Sequence, residues 1–143
     1  MDNLFRIVPY QGVNDIKFGT SREKFHEIVG VPRRSRQTKY ESIVEQYEFF
    51  SVSFKENSTL EEIEFFHTAN IYYDSINLFN DTDSLAKILR LSNKIWESDE
   101  TLLFQDLGLG LWGFHKEADG KTVYVFSQKA LDSVMKYYKP YSP

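Results

Sequence analysis

The run Phe49-Phe50-Ser51-Val52-Ser53-Phe54-Lys55-Glu56-Asn57-Ser58-Thr59-Leu60-Glu61-Glu62-Ile63-Glu64-Phe65-Phe66 decides the fold class. Side chains alternate across an extended chain. Phe50, Val52 and Phe54 therefore share one side, and Phe49, Ser51 and Ser53 the other. Asn57 and Ser58 supply a turn. Alternation then resumes over residues 60–66, with Ile63 and Phe65 on one face and Glu62 and Glu64 on the opposite one. A strand over 40–55, a turn and a return strand predict a β-hairpin.

Working outward toward the N-terminus, Ile16, Lys17 and Phe18 read as a short strand that Gly19 ends. A helix follows. Thr20 is its expected N-cap, with Glu23 three residues later completing a capping box. Phe25, Ile28 and Val29 give it an apolar face, and Gly30 and Pro32 stop it. Arg33, Arg34, Arg36 and Lys39 then mark an exposed polar loop, with an anion contact as the functional alternative. Toward the C-terminus, residues 71–79 predict another strand with Ile76 and Leu78 on one face. Asp81, Thr82 and Asp83 offer caps for a second helix, whose apolar face is Leu85, Ile88 and Leu89. Residues 94–100 read as a loop around Trp96, and 101–104 as a strand. Gly108, Gly110 and Gly113 suit a bulge or a tight backbone bend. Asp119-Gly120 is a hairpin turn signal before a strand over 123–126. Residues 130–138 predict a closing helix with Leu131, Val134 and Met135 inward, and Pro140 and Pro143 a short tail. Strands joined by short turns imply an α+β fold: an antiparallel β-sheet meander with two or three helices packed on one face or end.

The totals agree with a folded domain. With 143 residues, a 41% apolar fraction, twelve Phe and nine Tyr, one domain spanning residues 1–143 is expected, with a core that needs no staples. The absence of cysteine removes disulfides, thiolate chemistry and Cys-ligated metal sites. The first ten residues lack the basic start and apolar middle of a signal peptide, and no apolar run approaches a membrane span of about 20 residues. A cytoplasmic, membrane-free protein is the expectation. Charge is uneven along the chain: residues 1–40 carry +4, residues 41–110 carry −10 and residues 111–143 carry +2. An acidic middle disfavours direct nucleic-acid binding, which draws on Lys and Arg. It suits a basic protein partner, or simply a solvated surface.

Motifs for catalysis are missing. His26, His67 and His115 show no metal-ligand spacing, and each reads as a surface or structural histidine. There is no nucleophile elbow and no Walker loop; the Gly-rich run 107–113 lacks the Gly-Lys-Ser/Thr ending. Glu62 and Glu64 read as an ordinary exposed pair rather than a glycosidase dyad in a cleft. The expectation is therefore no enzyme activity, no cofactor and no metal. A small enzyme or ligand-binding protein would instead need a deep pocket with converging polar groups and a perturbed titratable residue. What remains is a combination of aromatic and acidic residues: Tyr72, Tyr73 and Asp74 on one strand, and Trp96, Glu97, Asp99 and Glu100 in one loop. Aromatics concentrate at interface hot spots, and acids at the rim steer basic partners. Tyr72 and Trp96 fit equally the part of core residues with polar tips.

Two segments carry a family resemblance. Ile16-Lys17-Phe18-Gly19-Thr20-Ser21-Arg22-Glu23-Lys24-Phe25, closing on Gly30-Val31-Pro32, resembles the I-x-F-G-[MT]-S-[RK]-E-x-[VF] … G-x-P opening of small bacterial immunity-like proteins. Phe104-Gln105-Asp106-Leu107-Gly108-Leu109-Gly110-Leu111-Trp112 is similar to their LG-[LIV]-x-[LV]-W strand. A similar opening occurs in small outer-membrane assembly lipoproteins, which carry a signal peptide and a lipidated cysteine. The resemblance implies an antidote of contact-dependent growth inhibition or related polymorphic toxin systems. Such a protein binds a cognate toxin domain, often a nuclease, and blocks its active site or a surface it needs. On that expectation the partner is basic, Asp74, Glu97, Asp99 and Glu100 supply charge, and Tyr72 supplies an apolar anchor. The alternative is a regulatory or scaffold module that binds a host protein and neutralises nothing.

Overall fold

The hairpin at the centre of the sequence is also the centre of the fold. A computed structural model describes residues 2–39, 42–55, 58–115 and 120–143. Strands β6 (Phe50–Lys55) and β7 (Thr59–Phe65) pair antiparallel, Phe50 opposite Phe65 and Val52 opposite Ile63. The turn between them includes Ser58 in a left-handed conformation, φ 57°; Asn57, expected there as well, lies outside the described residues. The register shifts between Ser53 and Phe54, and Glu61 is the extra residue of a β-bulge.

Among the described residues, fourteen strands form two sheets. In the larger, β4 (Arg34–Gln37), β5 (Ile43–Gln46), β6 and β7 form one antiparallel run. Strands β10 (Ile95–Glu97), β11 (Thr101–Phe104), β12 (Leu109–Trp112) and β13 (Thr122–Phe126) form another. The two runs join where β13 pairs with β7, Val123 opposite Phe65 and Tyr124 opposite Glu64. Strand β14 (Lys139–Pro140) adds to the free edge of β10. The smaller sheet takes β1 (Phe5–Val8), β2 (Gly12–Val13) and β3 (Ile16–Lys17) together with β8 (Ile71–Tyr73) and β9 (Ile76–Asn77). Its centre is a parallel pair, β1 with β8.

The expected single meander is thus corrected. The molecule is mainly sheet, in two layers, and the join between its halves pairs strands more than fifty residues apart. Several local expectations change with it. Residues 33–39 are not a loop, because β4 is the edge strand of the large sheet; all four of its residues are exposed. Charge on an edge strand hides the apolar alternation by which strands are recognised. The stretch 40–55 breaks into β5 and β6, and 71–79 into β8 and β9 around Asp74 (φ 52°). The loop around Trp96 is strand β10, too short to show a period. The tail contributes β14, and Pro140 is tolerated there because β14 is an edge. Asp119 of the predicted Asp119-Gly120 turn lies outside the described residues.

Helix α1 (Arg22–Val29) begins one residue later than the capping box requires. Its N-cap is Ser21, whose hydroxyl accepts from the Lys24 amide at 3.2 Å, while the Thr20 hydroxyl donates back to the Lys17 carbonyl at 2.6 Å. Glu23 is therefore not at the reciprocal position. Gly30 closes the helix at φ 90°. Helix α2 (Ser84–Leu91) follows Asp83, which makes no side-chain cap bond; the Asp81 carboxylate accepts instead from the Asn77 amide at 3.0 Å. Helix α3 (Gln128–Val134), capped by Ser127, ends earlier than expected and continues as a 3-10 turn over Met135–Tyr137.

Side-chain alternation gives the large sheet an inner and an outer face. The inner face carries Phe50, Val52, Phe54, Ile63, Phe65, Leu109, Leu111, Val123 and Val125, all nearly inaccessible. The small sheet, Phe25 of α1 and Ile88 of α2 complete the same core. Phe5 of β1 packs its ring 5.0 Å from Phe65 and 5.6 Å from Phe50. The outer face carries Ser51, Ser53, Glu62, Glu64, Tyr124, Phe126, Leu103 and Trp96. Only part of it is roofed: α3 places Ala130 and Leu131 on Leu103 and Phe126. The helices therefore do not share one face, and the uncovered part of the outer face becomes a cleft. Gly110 of β12 belongs to the roofed part, since a Cβ there would meet the Phe126 ring at 3.1 Å. No described helix is long and apolar enough to cross a membrane.

Candidate functional site

The five residues expected to meet a partner occupy two places. Tyr72 and Asp74 lie on the small sheet. Tyr72 pairs across the parallel ladder with Arg6, whose guanidinium sits 5.3 Å from its ring centre. The tyrosine face is partly covered by a cation. Asp74 is exposed in the following turn and lines a shallow depression with Arg6, Ile7 and Ser75. Glu97, Asp99 and Glu100 lie on the arm of the large sheet, at the β10–β11 hairpin. That hairpin is held by Ile95–Phe104, Trp96–Leu103 and Glu97–Leu102 pairing, and its turn closes through the Ser98 amide on the Thr101 carbonyl at 3.0 Å. Asp99 and Glu100 are exposed, and Glu97 is half-buried. Among the described residues, none of these three carboxylates forms an ion pair within 4 Å. Glu97 and Asp99 face Lys136 and Lys139 across a shallow groove. Trp96 packs against the outer cluster, with its indole N–H donating to Gln105 Oε1 at 3.0 Å.

Four acids of residues 41–110 are used internally. Glu45 is fully buried; its Oε2 accepts from Arg22 at 2.8 Å, and its Oε1 lies 2.6 Å from His26 Nε2. Burial pushes the Glu45 carboxyl up, but hydrogen bonds from Arg22, His26 and Ser35 outweigh it and hold the group below the ordinary carboxylate range. This network ties α1 to β5 and gives His26 a structural role. Asp106 accepts from the Ser92 hydroxyl and the Asn93 amide, and Asp81 closes the turn before α2. Glu61 is buried at the bulge and accepts from the Thr59 hydroxyl at 2.7 Å.

Glu62 and Glu64 differ from expectation. They lie on the outer face, yet neither is openly solvated. Burial pushes Glu62 up, and neighbouring Glu64 adds to this while Lys55 opposes it. Burial also raises Glu64, against a hydrogen bond from the Tyr124 hydroxyl and the charge of Arg36. Carboxyls in such a setting retain protons at higher pH and act as hydrogen-bond donors. The surroundings explain the miss: α3 and β4–β5 border a cleft beside a strand face that alternation alone marks as solvent-facing. The resulting cleft has a volume of about 1030 Å³ and runs between β4–β5 and α3. A second depression over Glu64, Arg34, Arg36 and Ser51 adjoins it through Arg36 and Val44. The basic rim of the larger cleft includes Arg36 and Lys39 from the stretch singled out for an anion contact.

Among the described residues, no cluster of three or more His, Asp or Glu side chains is placed to hold a metal ion. No protein-family model, no curated protein and no solved structure matches the chain.

Proposed function

We propose that this chain is an immunity protein, which binds a cognate toxin domain and neutralises it by covering its active site or a surface it requires. The observation that carries this reading is the β10–β11 tip. Among the described residues, Asp99 and Glu100 stand exposed and form no ion pair within 4 Å, on a hairpin held by neighbours on both sides. Glu45, Glu61, Asp81 and Asp106 of the same segment are instead committed to the fold. A rigid acidic projection suits a basic partner, because complementary charge raises the association rate and little ordering is needed on binding. Tyr72 and Asp74, on β8 and the turn after it, form a second contact surface on the small sheet. The protein acts in this reading by occupying a surface rather than by chemistry.

The test is calorimetry with the C-terminal domain of the protein encoded immediately upstream. The expected result is 1:1 binding in the nanomolar range, about −12 kcal/mol. The double variant Asp99→Lys/Glu100→Lys should bind at least about tenfold more weakly and with a flatter salt dependence. Unchanged affinity in that variant would refute the tip as the contact. A protein that binds without rescuing growth on co-expression with the toxin would instead be a regulatory or scaffold module.

A further inference from the structure

The cleft between β4–β5 and α3 carries a charge opposite to that of the chain. Among the described residues, its charged lining is Arg36, Lys39, Lys55, Lys129 and Lys136 against one acid, Glu61, in a protein of net charge −4. The cations come from separate elements: β4, the turn after it, β6, α3 and the 3-10 turn. Cationic edge strands commonly guard a sheet against unwanted pairing, and Arg36 fits that role. Lys129 and Lys136 do not, because they stand on the helical wall across the cleft. Between the two walls run Val44, Ala130 and Val134, an apolar strip.

A ligand for this site must carry several negative charges along its length and apolar groups between them. A single inorganic anion would answer one or two cations and leave the strip bare. A polynucleotide would answer the cations with its phosphates but offers no aliphatic group to the strip. An acidic, partly apolar polypeptide meets both features: carboxylates toward the rim and aliphatic side chains on the strip. We propose that the cleft binds an acidic segment of another protein in which Asp or Glu alternate with aliphatic residues. This stands on the cleft and not on the antidote reading, whose contact surface is the β10–β11 tip.

The experiment uses the full chain and a fluorescein-labelled peptide, (Glu-Glu-Leu)4, followed by fluorescence anisotropy at about 50 mM and 300 mM salt. Saturable 1:1 binding that weakens with salt is expected. Arg36→Glu/Lys136→Glu should weaken it about tenfold or more, with the thermal midpoint unchanged, because both side chains are exposed. Lys24→Glu/Arg90→Glu, exposed cations on α1 and α2, should leave it within about twofold. Equal losses in the two double variants, or no saturable binding, would overturn the site. Tighter binding of a single-stranded 12-mer oligonucleotide than of the peptide would overturn the assignment of the ligand.

Discussion

Replacing Glu45 with Gln tests whether α1 is fastened to the sheet by charge. The side chain is fully buried and receives three short polar contacts, two from Arg22 at 2.8 and 3.2 Å and one from His26 at 2.6 Å. Glutamine keeps the volume but offers one acceptor oxygen and an NH2 group that cannot accept. Hydrogen bonds involving a charged group contribute about 1.5–3 kcal/mol each. Arg22 remains 40% exposed, so water replaces part of what it loses. The net expectation is about 2 kcal/mol of destabilisation near neutral pH, or about 6 °C in the melting midpoint for a chain of this size. The pH dependence has a definite sign. Glu45 sits below its ordinary value in the folded state. Its contribution is therefore complete above the unfolded value of about 4.3 and is lost as pH falls through the lower folded value. Thermal melts followed by circular dichroism at about pH 7 and about pH 3 would show a gap between wild type and Glu45→Gln that closes in acid. Midpoints within about 1 °C at neutral pH, or an equal gap at both pH values, would refute the reasoning.

Two further outcomes follow from the outer face. Glu62 is raised by burial, so its ionised form destabilises the fold above that raised value and has no such effect below the ordinary value of about 4.3. Glu62→Gln should therefore stabilise the protein near neutral pH by on the order of 1 kcal/mol, with the gain vanishing in acid; urea denaturation at two pH values measures this, and destabilisation at neutral pH would contradict it. Leu131 is fully buried in the small cluster under α3. Leu131→Ala should cost about 3 kcal/mol and speed amide exchange in α3 ahead of β6 and β7; uniform exchange across these elements would mean that α3 is no separate unit.

The strands with a clean two-residue period were legible in the sequence. Phe50, Val52, Phe54, Ile63 and Phe65 announce β6, β7 and the face that enters the core, because one covered face writes alternation directly into residue type. Helices α1 and α2 were legible from their apolar spacing, although the cap fell on Ser21 rather than Thr20. The acidic bias of residues 41–110 was also visible, but its use was not. Position along the chain gives no hint that Glu45 is buried against Arg22 and His26, whereas Asp99 and Glu100 are exposed at a hairpin tip.

Tertiary structure alone decided the rest. The pairing of β7 with β13, and of β1 with β8, joins segments too distant for any local pattern to record. Strands β4, β10 and β14 are strands because neighbours supply their hydrogen bonds, not because their own residues prefer it. The cleft follows the same logic. Its basic rim comes from residues 36, 39, 55, 129 and 136, which no local pattern brings together. Local sequence fixes which side of a strand a residue takes, while burial depends on what the remainder of the chain lays over that side.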